Sequence, residues 1–272
     1  MPRPVRLAVT LTTGSAVTVG ALAGLGLGPF RDVPPPAGHQ ASALATADGA
    51  SQDTPTSGAN SAVPDPTPSS SSTGADVPRT LPLGARTLGT VADTTSQVVI
   101  VRGTTTGSNA ATIQFYERVG ADWLPRATWQ GHVGKRGWST HHVEGDLRTP
   151  VGTFGLTDAG GRKADPGSKL PYDQSTAFTP PAPQAGFGDS TADAFDYVIA
   201  VNYNRAAGRT PLDFTRPLGA GRGGGIWLHV DHDGPTHGCV SLPKSAMRYL
   251  LLHLSPEARP VVVMGAAAQL SR

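Results

Sequence analysis

IWLHVDHDGPTHGCVSL, residues Ile226–Leu242, is the stretch on which the reading of this chain turns. An apolar run (Ile226, Trp227, Leu228) delivers His229, and a polar turn follows. Thr236-His237-Gly238-Cys239 then leads into a second apolar pair around Ser241. Cys239 is the only cysteine in 272 residues, and His229, His232 and His237 are three of the eight histidines. A thiol titrates near 8.5 and needs a base or cation beside it to react at neutral pH, a task to which imidazole is matched. A hairpin-like return would bring His229 beside Cys239, with His237 on the same face of an extended segment. Gly238 allows close backbone approach, so the amides of Gly238 and Cys239 are candidates for an oxyanion hole.

Metal chemistry is the rival. His229, Asp231, His232, Asp233, His237 and Cys239 are all possible zinc ligands, but their spacing matches neither HExxH nor paired CxxC. Asp231 to Gly234 read more simply as a solvated turn, and His232 with them.

On either side, the segments that flank this stretch are mostly strand-like. Gln97–Arg102 (QVVIVR) is β-branched, Thr112–Val119 (TIQFYERV) alternates between two faces, and Trp123–Trp129 reads as a further strand. Asp196–Asn202 (DYVIAVN) is expected as a central strand and Pro260–Met264 as a buried closing one. Gly145–Leu156 (GDLRTPVGTFGL) is a turn-rich joint into a short strand, its glycines and Pro150 having structural roles. His141 and His142 just before it read as surface or mouth residues. Gly160–Asp193, rich in Pro, Gly, Asp and Ser, is long enough to be either a lid over a site or a disordered loop. The glycines Gly221, Gly223, Gly224 and Gly225 do not form a phosphate loop, since a strand follows and no Lys-Ser/Thr. One helix is expected, over Pro243–Leu254, with Ala246, Met247, Leu250, Leu251 and Leu254 on its apolar face. The domain, placed at residues 87–267, is therefore mainly β with one helix towards its C-terminal side.

Ahead of it the composition changes. Arg3 and Arg6 precede Leu7–Leu27, which carries no charge, as in a secretory signal or an N-terminal membrane anchor over residues 1–31. Residues 32–86 are rich in Pro, Ser, Thr, Ala and Gly and are expected to be a disordered linker. A net charge of +2 with no long Lys/Arg run gives no footprint for nucleic acid. One cysteine excludes an intrachain disulfide, and an unpaired thiol in an exported chain flags reactivity. The expected location is extracytoplasmic, in the cell wall or envelope, with membrane attachment through the N-terminal segment a possibility.

The run LHVDHDGPTHGCVSLP resembles the active-site signature of the L,D-transpeptidase (YkuD-type) family: a strand-borne His, a variable loop, then Ser/Thr-His-Gly-Cys. EGDLRTPVGTF (Glu144–Phe154) and LPYDQ (Leu170–Gln174) look like two further family stretches. The resemblance spans about residues 95 to 265 and implies a β-sandwich or barrel fold. It implies Cys239 as the acylated nucleophile, His229 as its base, His237 as a residue that shapes the site, and Gly238 with Cys239 as oxyanion donors. The substrate implied is a peptidoglycan stem peptide. Its terminal D-alanine is expelled, and the thioester is resolved by an amine to a 3→3 cross-link or by water as an L,D-carboxypeptidase. No metal and no organic cofactor are implied, the protein is expected to act as a monomer, and carbapenems are expected to acylate it. Two positions depart from the family pattern. The loop between His229 and His237 is short, and Ser241 stands where many members have Asn or Arg. A zinc-dependent wall peptidase or amidase, and a non-catalytic wall-binding module, are the alternative readings.

Overall fold

A computed structural model describes residues 80–188 and 190–272. The segments read as signal or anchor (1–31) and as linker up to residue 79 lie outside the described residues. The strands in chain order are β1 (Gln97–Gly103), β2 (Ala110–Val119), β3 (Asp122–His132), β4 (Trp138–Ser139), β5 (Thr149–Pro150) and β6 (Gly152–Gly161). They continue with β7 (Tyr172–Gln174), β8 (Val198–Val201), β9 (Trp227–Val230), β10 (Val240–Leu242) and β11 (Val261–Ala266). Helices are α1 (Ala85–Leu88), α2 (Lys244–His253) and α3 (Ala267–Leu270).

The main sheet runs β11-β1-β2-β3-β10-β9-β8-β6-β7, and an additional β11–β6 pairing closes it on itself. Eight strands thus form a barrel, with β7 appended to β6 and the β4–β5 pair standing apart. Closure removes the exposed sheet edges that would otherwise template aggregation. The fold is mainly β and barrel-like, as the sequence indicates.

The continuous apolar run of β1 reflects two buried faces. Val99 and Val101 join the interior cluster with Ile113, Phe115, Leu156, Ile199, Leu228, Leu242 and Met264. Val98 and Ile100 face the other way, covered by Leu81, Val91 and Leu270. The buried Leu81 and Leu270 extend the packed unit beyond 87–267 on both sides. Gly84 N–H donates to the Leu270 carbonyl and Thr87 N–H to that of Arg272, so the two ends of the unit are clasped together. The sequence carries one β-breaking signal in β3, Pro125. It sits at a bulge, where the register of β2 against β3 shifts between Phe115 and Tyr116.

Helix α2 starts at Lys244, with Pro243 as its N-cap rather than inside its first turn. Ala246, Met247, Leu250 and Leu251 are fully buried in the interior cluster. Each large side chain buried there contributes about 1.5–3 kcal/mol, and that packing holds the helix against the barrel.

Two expectations are corrected. The strand after Pro150 is not short: β6 has ten residues, Gly152–Gly161, and takes up the first part of the segment read as a lid. Nor do β9 and β10 form a hairpin. They are parallel neighbours, with Leu228 beside Val240, His229 beside Ser241 and Val230 beside Leu242. A parallel pair ordinarily needs a crossover of a dozen or more residues, and here only 231–239 intervene. The connection is tight because Asp233 takes a left-handed conformation (φ 59°) and Thr236 bridges to Gly134, beyond the end of β3.

Candidate active site

Alternation along β9 divides its side chains between two surfaces. Leu228 and Val230 point into the barrel, while Trp227 belongs to an outer cluster with Phe178, Phe195 and Cys239. His229 shares that outer face. Because β10 runs parallel and in register, Cys239, immediately before it, flanks Trp227. The candidate site therefore lies on the outer surface of the barrel, where Phe178 and Phe195 from the long segment after β7 cover it. Phe195 meets Trp227 edge-on at 5.0 Å and His229 at 5.4 Å. That cover explains why His229 is only 2% exposed.

A cleft of about 300 Å³ opens here, bounded by Pro181, Phe195, His229, His232, His237 and Cys239. His229 Nδ1 is 2.9 Å from the Val230 carbonyl oxygen. A carbonyl only accepts, so Nδ1 carries the hydrogen and the lone pair is left on Nε2. Burial in this aromatic surround pushes the His229 pKa down to about 4. Burial also pushes the Cys239 thiol up to about 11, against the hydrogen bond that Sγ accepts from Trp227 N–H at 3.4 Å. The thiol donates weakly to the Gly225 carbonyl at 3.5 Å. At neutral pH the unliganded pair is thus neutral thiol and neutral imidazole, not an ion pair, and the S–H is directed at Gly225 rather than His229.

Two threonines fix the cysteine backbone. Thr236 Oγ1 donates to the Cys239 carbonyl at 2.7 Å and accepts from Gly238 N–H at 3.1 Å. Thr149 Oγ1 reaches the same carbonyl at 3.4 Å while accepting from Gly134 N–H at 2.8 Å. Gly238 (φ 152°) carries a backbone that side chains rarely adopt, and a Cβ there would lie 3.0 Å from the Arg148 carbonyl oxygen. Its amide is already engaged by Thr236, which corrects the expectation that both the Gly238 and Cys239 amides are free to form an oxyanion hole.

His237 is exposed at the cleft mouth and stacks flat on Phe187 of the covering segment, centroids 4.2 Å apart. Lys135 Nζ lies 4.3 Å from the same ring. Burial, with His232 and Lys135 nearby, lowers the His237 pKa.

The structure draws together His229, His237, Gly238 and Cys239, but it reassigns several neighbours. Asp231 is no solvated turn residue: its Oδ1 accepts from His132 Nδ1 at 2.9 Å and from the Ser241 hydroxyl. His232 lines the cleft with its ring parallel to that of His229, 5.6 Å away, and its Nδ1 is buried without a partner among the described residues. Asp233 is exposed, as a turn residue should be. His141 is exposed, but His142 is 5% exposed and borders a second hollow against Cys239. Among the described residues, no group of three His, Cys, Asp or Glu side chains is arranged to hold a metal.

Sequence signals for these residues were thin. Thr149 sits in the RTP run and Thr236 directly before His237-Gly238-Cys239, so both were visible as neighbours of motifs. The aromatic cover of Phe178, Phe187 and Phe195 had no such mark.

Comparison with known proteins decides the family. The model of the YkuD family, L,D-transpeptidase catalytic domain, matches residues 111–263, more than half of the chain. The chain belongs to the YkuD L,D-transpeptidase family. The YkuD match takes in every strand from β3 to β10, helix α2, and all the site residues named above. Proteins of this family act on peptidoglycan stem peptides. No curated protein matches the chain. A solved structure, Bd1075 of Bdellovibrio bacteriovorus, is similar over 72% of this YkuD chain and 57% of its own, at 16% identity and a TM-score of 0.34. The chain thus spans little more than half the length of that protein, and a likeness at this level carries no argument about function.

Proposed function

We propose that this YkuD protein is an exported cysteine L,D-transpeptidase of the cell envelope, with Cys239 as nucleophile and His229 as base. The observation that carries the reading is the pairing, in one covered cleft, of a thiol with an imidazole whose Nε2 is left basic by the Nδ1–Val230 bond. Arg3 and Arg6 before the uncharged Leu7–Leu27 support export.

A stem tetrapeptide enters the cleft with the carbonyl of its third residue at Sγ. Rotation of the thiol away from Gly225 hands its proton to His229 Nε2 as sulfur attacks, so charge appears only in the transition state. The Cys239 amide receives the developing oxyanion. Collapse expels the terminal D-alanine, whose nitrogen takes the proton back from His229, and leaves a thioester on Cys239. An amine of a neighbouring stem, or water, then resolves it. His237, at the mouth, shapes the approach.

Intact-mass spectrometry of the folded domain with a stem tetrapeptide tests this. The expected result is an acyl adduct that maps to Cys239 and is absent in Cys239→Ala. A folded wild-type protein that never acquires an adduct, from the peptide or from a carbapenem, overturns the reading.

A further inference from the structure

Ser241 has no part in the thiol–imidazole pair, yet it sits in a connected polar set beside it. Three neighbouring strands contribute one residue each to a row. His132 on β3 pairs with Ser241 on β10, and Ser241 lies beside His229 on β9. Val240 and Leu242 point into the interior cluster, as do Leu228 and Val230, so Ser241 and His229 share the opposite face. Adjacent strands are about 4.8 Å apart, which makes the serine an immediate neighbour of the base.

Asp231 completes this set. Its N–H donates to the Leu242 carbonyl at 2.7 Å, which carries the parallel ladder one step past the end of β9. Alternation returns its side chain to the face that holds His229. There Oδ1 accepts from His132 Nδ1 at 2.9 Å and from the hydroxyl of the fully buried Ser241. Burial works against a charge on Asp231, but the bonds from Ser241 and His132 outweigh it and hold its carboxyl below the usual carboxylate range. Among the described residues, no lysine or arginine forms an ion pair with it. The carboxylate is therefore ionised, held by two neighbouring strands, and without a permanent countercharge.

His229 is the group placed to use that charge. Burial is the main resistance to a proton on its ring; Asp231 favours the charged form and His232 opposes it. The bond at Nδ1 goes to the neutral carbonyl of Val230, so no acid touches the imidazole directly.

We infer that Asp231 is a positioning residue of the reaction: anchored by Ser241 and His132, its carboxylate supports the imidazolium that His229 becomes while it carries the Cys239 proton. The inference rests on the cysteine transpeptidase reading above and adds the countercharge that reading leaves out. The proton leaves sulfur for His229 Nε2 as sulfur bonds to the carbonyl carbon. It moves on to the departing nitrogen as the C–N bond breaks. His229 is positive only between those transfers, and a carboxylate already in place stabilises it without itself taking a proton. A hydroxyl at position 241 suits this arrangement, because it orients Asp231 without cancelling its charge.

The same contacts tie β9 to β10 and β3, so the test separates charge from scaffolding. Asp231→Asn keeps an oxygen for Ser241 and His132 and removes the charge. The limiting rate of acylation by a stem tetrapeptide, followed by intact mass, is expected to fall about tenfold, while the peptide concentration for half-maximal rate stays within about twofold. In a His229→Asn background the same substitution should change the residual rate by less than about twofold, because the group it acts through is gone. Ser241→Ala leaves the charge but loosens it, and should give a smaller loss that also disappears in His229→Asn. An unchanged rate in Asp231→Asn, or an equal loss with and without His229, overturns the inference and leaves the transpeptidase reading standing. If Asp231→Asn does not fold, Ser241→Ala decides: no loss, or a loss that persists in His229→Asn, overturns it. Wild-type protein that never acylates removes the transpeptidase reading first, and this inference with it.

Discussion

His229 and Val230, adjacent in the chain, are also hydrogen-bonded to each other, Nδ1 to carbonyl at 2.9 Å. The strand thus sets the tautomer of its own histidine, with no carboxylate behind the ring. His229→Asn can keep the donor to Val230 while losing the basic nitrogen. We expect acylation by a stem tetrapeptide to slow by about 10²–10⁴-fold, the usual worth of a general base. The thermal midpoint should stay within a few degrees. An intact-mass time course beside a melting curve checks both, and near wild-type acylation would remove His229 from its role.

The same burial makes stability depend on pH. An unfolded histidine takes up its proton near 6.5, whereas His229 in place resists it down to about 4. Between those values the unfolded chain binds more protons than the native one, so stability is full above 6.5 and is lost as pH falls towards 4. The loss is on the order of 3 kcal/mol, at 1.36 kcal/mol for each unit. Urea unfolding at pH 7 and pH 4.5 should show a drop that shrinks in His229→Asn.

For the thiol the sign is opposite. Cys239 is held protonated up to about 11, so alkylation by iodoacetamide should stay slow through pH 9 and climb beyond it. A reaction rate already at its plateau by pH 8 would show a thiolate–imidazolium pair instead.

Thr236 holds both Gly238 N–H and the Cys239 carbonyl. Thr236→Val keeps the shape and removes both bonds, leaving the buried Gly238 N–H unsatisfied and the Cys239 carbonyl with only its longer bond from Thr149. The expected cost is about 1–3 kcal/mol of stability together with a loss of acylation rate. Thr236→Ser should restore most of each, which calorimetry and the mass assay can compare.

The covering segment touches the β9–β10 connection through glycines. A Cβ on Gly234 would fall 2.4 Å from Gly188 N, so Gly234→Ala must push the segment outward. Faster amide exchange near residues 184–188, with weaker binding of the tetrapeptide, is the expected outcome. Unchanged exchange would mean that the segment yields without opening.

Strong periodic runs made β1, β2, β8, β9 and β11 legible, as did the apolar face of α2 and the His-Gly-Cys block. Contacts between distant segments were not. The strand Gly152–Gly161 is built mostly of glycine, threonine and alanine, with Phe154, Leu156 and Asp158, and it is held as a strand by partners on both sides, β8 and β11. The parallel pairing of β9 with β10 was hidden because a short polar connection reads as a hairpin, and only the Gly134–Thr236 bridge shows why it is not. Asp231, His232 and His142 looked like solvated residues because their burial depends on β3, on Gly188 and on Tyr203, far away in sequence. Chemistry was readable where one short stretch carried it, and unreadable where the fold assembled it.

The clasp between Gly84 and Leu270 fixes where this barrel is held. Around the ring, the β11–β1 seam is two strands away from β10 by way of β2 and β3, and two away from β9 by way of β6 and β8. A load entering at residue 80 would therefore reach the side of the barrel away from β9 and β10. Tension would run as shear along β1 and β11 and would bypass the strands that carry His229 and Cys239. The face that carries His229 and Cys239 would be left outside the path of that load.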